Sequence, residues 1–186
     1  MTENCSPKCC RPHRERRDEA RWCTSVHESG HAVMAYLVRL PFTHVTIRPA
    51  MGGVLGHMAA DLVAYLRGEA ECPFKDRRAA LAAVLVAGCI AEEQLTTAAG
   101  RRCTSAESDY AVLDELFGGP DSPDEQKRGV VVFVEEAVRE ALRRPDILMA
   151  VMSVATELDN RVTLTQADVT RIISGYFTLP PTGSPE

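Results

Sequence analysis

Residues 79–91, AALAAVLVAGCIA, are apolar around nearly the whole circumference of a helix. A helix with no polar face cannot lie on a surface, so this stretch must be the centre of the fold with other elements packed around it. At 186 residues and 45% hydrophobic content, the chain is long enough for one sizeable core and short for two. The apolar run is too short to span a bilayer, and no apolar signal core stands near the N-terminus. A soluble, cytoplasmic chain without membrane insertion is therefore expected.

The net charge of −5 is unevenly spread: Lys and Arg outnumber Asp and Glu in residues 1–21, and the remainder is acidic. An acidic body is a poor nucleic-acid binder, and the basic start lacks interleaved aromatics, so no nucleic-acid partner is expected. Seven cysteines, an odd number without a CxxC pair, read as reduced thiols. Cys5, Cys9, Cys10 and His13 fit no standard zinc module.

Residues 1–16 and 180–186 read as disordered polar tails flanking one domain over 17–179. Within it, Trp22, Val26, Val33, Leu37 and Leu40 recur at helical spacing before Pro41. The stretch 44–48 is β-branched, 49–53 has turn chemistry and 54–58 returns, which predicts a small hairpin. Helices are then expected over 74–97, over 104–117 with a capping box from Thr104 to Glu107, and from 122 to the Pro145 boundary with a stripe through Val131, Val134, Val138, Ala141 and Leu142. Two more follow, the last capped by Thr165 with Asp168 three residues on. The sum is a mainly α fold, a helical bundle with one small β element next to the first helix.

That first helix contains His27-Glu28-Ser29-Gly30-His31. Positions i and i+4 lie one turn apart on one face, so both imidazoles can converge on one ion, with Glu28 aimed at the water such a site activates. A catalytic zinc site wants three protein ligands, so a third donor must come from elsewhere. On the 104–117 helix, Asp109 falls in the middle of the apolar stripe formed by Val112, Leu113 and Leu116. A carboxylate in that position pairs with a cation or binds a metal; a salt bridge to an arginine or a cap to a neighbouring helix is the alternative, but beside an unfinished two-histidine site ligation takes precedence. Glu92, in line with Leu85, Gly88, Cys89 and Leu95, is a second candidate, either as the third ligand or as a group orienting a ligand histidine. Cys23 reads as core packing, because a fourth protein donor would close the catalytic position. His57, after Gly56, reads as a surface hairpin residue rather than one that approaches substrate, and His44 belongs to the preceding strand.

HESGHAVMAYLVRLPFTHVTIRPAMGGVLGHM, VLVAGCIAEEQL and TSAESDYAVLDEL occur in the order and approximate spacing of blocks in the protease domain of FtsH, the ATP-dependent AAA+ zinc metalloprotease, and the resemblance covers roughly residues 20–177. It implies that His27, His31 and Asp109 bind Zn2+, that Glu28 is the catalytic base, and that a strand within 43–48, centred on Val45, Thr46 and Ile47, or its hairpin partner, holds a polypeptide substrate by main-chain pairing. It further implies self-association as a homo-oligomer, in that family a hexamer. The departures are the lack of GxxxxGK[ST] or room for an ATPase domain, AGCIAEE in place of GGRAAEE, and TSAESD in place of TGASND. The expectation is an ATP-independent zinc endopeptidase acting on flexible or unfolded polypeptides. The alternative is a peptidase-fold module that binds zinc and peptide segments as an adaptor with little or no turnover; the retained Glu28 argues against it.

Overall fold

The computed structural model describes residues 13–49, 56–96, 106–117 and 124–179. Ten elements follow in chain order: α1 (His13–Val38), β1 (Phe42–Thr46), β2 (His57–Ala60), α2 (Leu62–Arg67), α3 (Arg77–Leu95), α4 (Ala106–Phe117), α5 (Asp124–Arg143), α6 (Pro145–Arg161), β3 (Thr163–Thr165) and α7 (Gln166–Ile173). The architecture is mainly helical with a small antiparallel sheet, as the periodicity predicts.

The apolar helix α3 is central. Asp76 caps it by accepting from the backbone N–H groups of Arg78 and Ala79 at 2.9 and 3.1 Å. Its residues from Ala80 to Ala91 are buried with few exceptions, and it packs against α1, α4 and α5. The α1–α3 crossing is close because its residues are small: a Cβ added at Gly30 would stand 2.8 Å from the Ala91 Cβ. That proximity carries the two histidines of α1 onto the surface of α3.

Helix α1 starts at His13, so residues 13–16 are helical; residues 1–12 and 180–186 lie outside the described residues. At its other end Arg39 takes a left-handed φ of 58° and the Leu40 N–H donates to Ala35 O at 2.9 Å. This is the helix-terminating geometry that usually employs glycine. Pro41 then releases the chain into β1.

The sheet order is β2-β1-β3. Val45 pairs with Met58 on one side and Leu164 on the other, so the apolar face points to the core. The expected return strand at 54–58 is displaced to His57–Ala60, and residues 50–55 lie outside the described residues. Two elements were not expected from the sequence. Helix α2 is a short turn capped by Asp61 and closed by Gly68 at φ 84°, and β3 joins β1 across more than a hundred residues of chain. Val162, at φ 69°, turns the chain from α6 into β3, and its carbonyl accepts from Ile47 N–H and from Thr46 Oγ1, both at 3.0 Å. Helix α7 begins with the predicted capping box, Thr165 and Asp168 each accepting from the other's backbone N–H. The capping box expected at Thr104–Glu107 lies outside the described residues; α4 begins at Ala106. Among the described residues no helix is long and apolar enough to cross a membrane.

Candidate metal centre

Each member of the centre comes from a different constraint on the chain. His27 and His31 sit one helical turn apart on α1, 1% and 6% exposed, with rings 4.6 Å apart in an edge-to-face arrangement. Asp109 comes from α4, which is seated on α3 through Leu113, a fully enclosed side chain, and through partly buried Leu116 and Phe117. The third stripe residue, Val112, is exposed at the edge of that contact. Asp109 thus lies on the side of α4 that carries Leu113 and Leu116.

The three donor atoms form a nearly equilateral triangle. His27 Nε2 and His31 Nε2 are 3.0 Å apart, and Asp109 Oδ2 lies 3.2 and 3.3 Å from them. Bonds of 2.0–2.1 Å to a tetrahedral zinc separate neighbouring donors by about 3.3–3.4 Å. No other set of three or more His, Cys, Asp or Glu donors converges in this way among the described residues.

Hydrogen bonding fixes which atoms face the triangle. His31 Nδ1 lies 2.7 Å from Val84 O, a carbonyl that can only accept, so Nδ1 carries the hydrogen and Nε2 presents its lone pair inward. Asp109 Oδ2 is buried and has no hydrogen-bond partner despite lying beside two imidazole nitrogens. The His31 and Asp109 lone pairs converging on one point repel unless a proton or a metal cation sits between them. The residues therefore fit a metal ion, and a set of two imidazoles and one carboxylate matches transition metals rather than Mg2+ or Ca2+.

Burial pushes the Asp109 carboxyl up, but the His27 and His31 rings beside it outweigh burial and hold it below the ordinary carboxylate range. Glu28 behaves differently. It is 3% exposed, its Oε2 has no hydrogen-bond partner, and burial raises its carboxyl despite the opposing influence of His31 and His27. A buried carboxylate with a raised affinity for protons, beside a cluster of metal donors, is equipped to take up and release a proton.

Glu92 is not a member of the triangle. Its Oε2 lies 3.6 Å from His27 Nδ1, on the far side of that ring from the donor atoms, so it acts on the site through His27. Cys23 is a partly buried thiol, not in a disulfide, outside the cluster. His57 is exposed at the start of β2 and His44 is its neighbour on β1.

Val45, Thr46 and Ile47 require a correction. β1 is the central strand, bonded to β2 on one side and β3 on the other, and Ile47 N–H already donates to Val162 O. Among the described residues both main-chain edges of Val45 and Thr46 are taken, and the Ile47 N–H is engaged, which leaves the hairpin partner β2 as the other expected location. The sequence could not show this, because the blocking strand β3 is three residues long and far away in the chain.

Two glycines complete the centre. A Cβ at Gly56 would stand 2.6 Å from Glu28 Oε1, so the residue leading into β2 rests on that carboxylate. A Cβ at Gly88 would collide with His31 Nε2 and lie 2.8 Å from His27 Cε1. Gly88 already stands in the buried line of α3, but only the tertiary contact shows what it makes room for.

Comparison of the chain with protein-family models and with curated proteins returns no match to either.

Proposed function

We propose that this protein is a zinc-dependent endopeptidase of the FtsH protease-domain type, cleaving flexible or unfolded polypeptides without nucleotide hydrolysis. The observation that carries the reading is the meeting of Asp109 with His27 and His31, with the buried carboxyl of Glu28 within electrostatic reach of all three.

His27, His31 and Asp109 hold the ion, with the Val84 carbonyl and the Glu92 carboxylate orienting the two rings. Zinc bound there supplies Lewis acidity toward a water molecule and a peptide carbonyl. Glu28 accepts the proton of the attacking water and delivers it to the leaving nitrogen, a task suited to a carboxyl whose proton affinity burial has raised. The substrate segment pairs with the outer edge of β2, the edge strand whose first residue follows Gly56. Gly56, immediately before that strand, rests on Glu28. Glu28→Gln tests the assignment: cleavage of an unstructured polypeptide falls by about 10²–10⁴-fold while bound zinc is retained. Zinc retained with unchanged cleavage overturns the proposed base, and zinc retained with no cleavage in the wild type supports the peptide-binding alternative.

A further inference from the structure

The outer face of the sheet carries a second pair of imidazoles, remote from the buried triangle in composition and exposure. The register pairs His44 with Ala59 and Thr46 with His57, which makes His44 and His57 diagonal neighbours on one face of adjacent strands. Their ring centroids are 5.5 Å apart and their planes cross at 77°. Two imidazoles bound through nitrogen to one ion at about 2.0–2.1 Å have centroids roughly 4.5–5.6 Å apart for ligand angles of about 90–120°. The observed separation falls inside that range.

Hydrogen bonding adds an independent argument. The Thr43 hydroxyl has a single hydrogen, and it donates it to Ala59 O at 3.3 Å. Its 3.0 Å contact with His44 Nδ1 is a hydrogen bond at the same time only when Nδ1–H donates and the hydroxyl oxygen accepts. The arrangement that satisfies both contacts leaves a bare lone pair on Nε2, as Val84 does for His31. His44 is partly buried, whereas His57 is exposed.

We propose that His44 and His57 form a second, weaker site for a divalent transition-metal ion, with water completing its coordination. The site has two neutral ligands and no carboxylate, so it binds less tightly than the triangle of His27, His31 and Asp109. It does not depend on the peptidase reading.

The test is a titration of paramagnetic Ni2+ into the full chain, previously loaded with one molar equivalent of Zn2+ and observed through its histidine ring resonances by NMR. The His44 and His57 signals broaden together at the same Ni2+ concentration, and replacing either with alanine abolishes the response of the other. Thr43→Val weakens Ni2+ binding by on the order of tenfold, since it removes the group that presets the tautomer. Before metal is added, the His44 nitrogen shifts report Nδ1–H. The proposal is overturned if the two signals do not respond together, if His57→Ala leaves the His44 response at wild-type affinity, or if His44 populates the opposite tautomer.

Discussion

Gly88 of α3 lies against the imidazole of His31 so closely that no side chain can be accommodated between them. Glycine inside a helix costs about 1 kcal/mol relative to alanine, so its presence in the middle of α3 calls for a local reason. The reason is the packing of both histidine rings onto the helix backbone. Gly88→Ala should push the rings off their common point and weaken metal binding by about 10–100-fold. Competition against a chromophoric chelator measures this directly, and wild-type affinity in the variant would show that the rings do not depend on that contact.

The identity of the third donor separates two carboxylates on different helices. Asp109 Oδ2 lies within 3.3 Å of both Nε2 atoms, whereas Glu92 approaches His27 from the Nδ1 side at 3.6 Å. Asp109→Ala should therefore lose stoichiometric metal on dialysis. Glu92→Ala should keep it with affinity lowered by about 10–100-fold, as expected for a group that orients a ligand. Metal content of the two purified variants decides between them, and the opposite pattern would assign the ligand to Glu92.

How much of this was legible in the sequence depends on the range of the interaction. The His27–His31 spacing is a property of one helix turn, and the placement of Asp109 follows from its angular position among Leu113 and Leu116. The Thr165–Asp168 cap likewise spans three residues. All were readable because helix geometry alone relates their parts. β3 was not, because its three residues gain strand character only by pairing with β1, and α2 was not, because a six-residue helix has too few turns to show a period. The roles of Gly56, Gly88 and the Val84 carbonyl depend on contacts between elements far apart in the chain, for which a single sequence carries no local signal.

Gly56 rests on Glu28 as Gly88 rests on the histidines, but the consequence of filling it differs. A methyl group there would meet Oε1, Cγ and Cδ of Glu28 at 2.6–2.9 Å, so the carboxylate must move while the metal donors stay in place. Gly56→Ala should reduce the cleavage rate by on the order of 10²-fold through misplacement of the base. Zinc stoichiometry and affinity should remain close to wild type. Steady-state cleavage measured beside metal content distinguishes this from Gly88→Ala, in which metal binding itself weakens.

The buried carboxyl of Glu28 also sets a dependence of stability on pH in the metal-free chain. Burial raises its affinity for protons in the fold, opposed by the nearby His31 and His27, relative to an unfolded value of 4.5. Below that value Glu28 is protonated in both states and folding is not penalised. Above it the unfolded chain has released the proton and the folded chain retains it, so the fold binds more protons and loses stability as pH rises toward the folded value. Glu28→Gln cannot ionise and escapes this loss. In chelator, the variant should therefore gain stability over the wild type as pH rises above 4.5, at a rate of up to roughly 1 kcal/mol per pH unit inside the titration window. Urea unfolding of both proteins at several pH values measures the difference. Restoring zinc should narrow it, because a cation beside the carboxylate favours its charged form. A stability difference that is independent of pH in chelator would mean that Glu28 is ionised in the fold and is not the proton reservoir its burial implies.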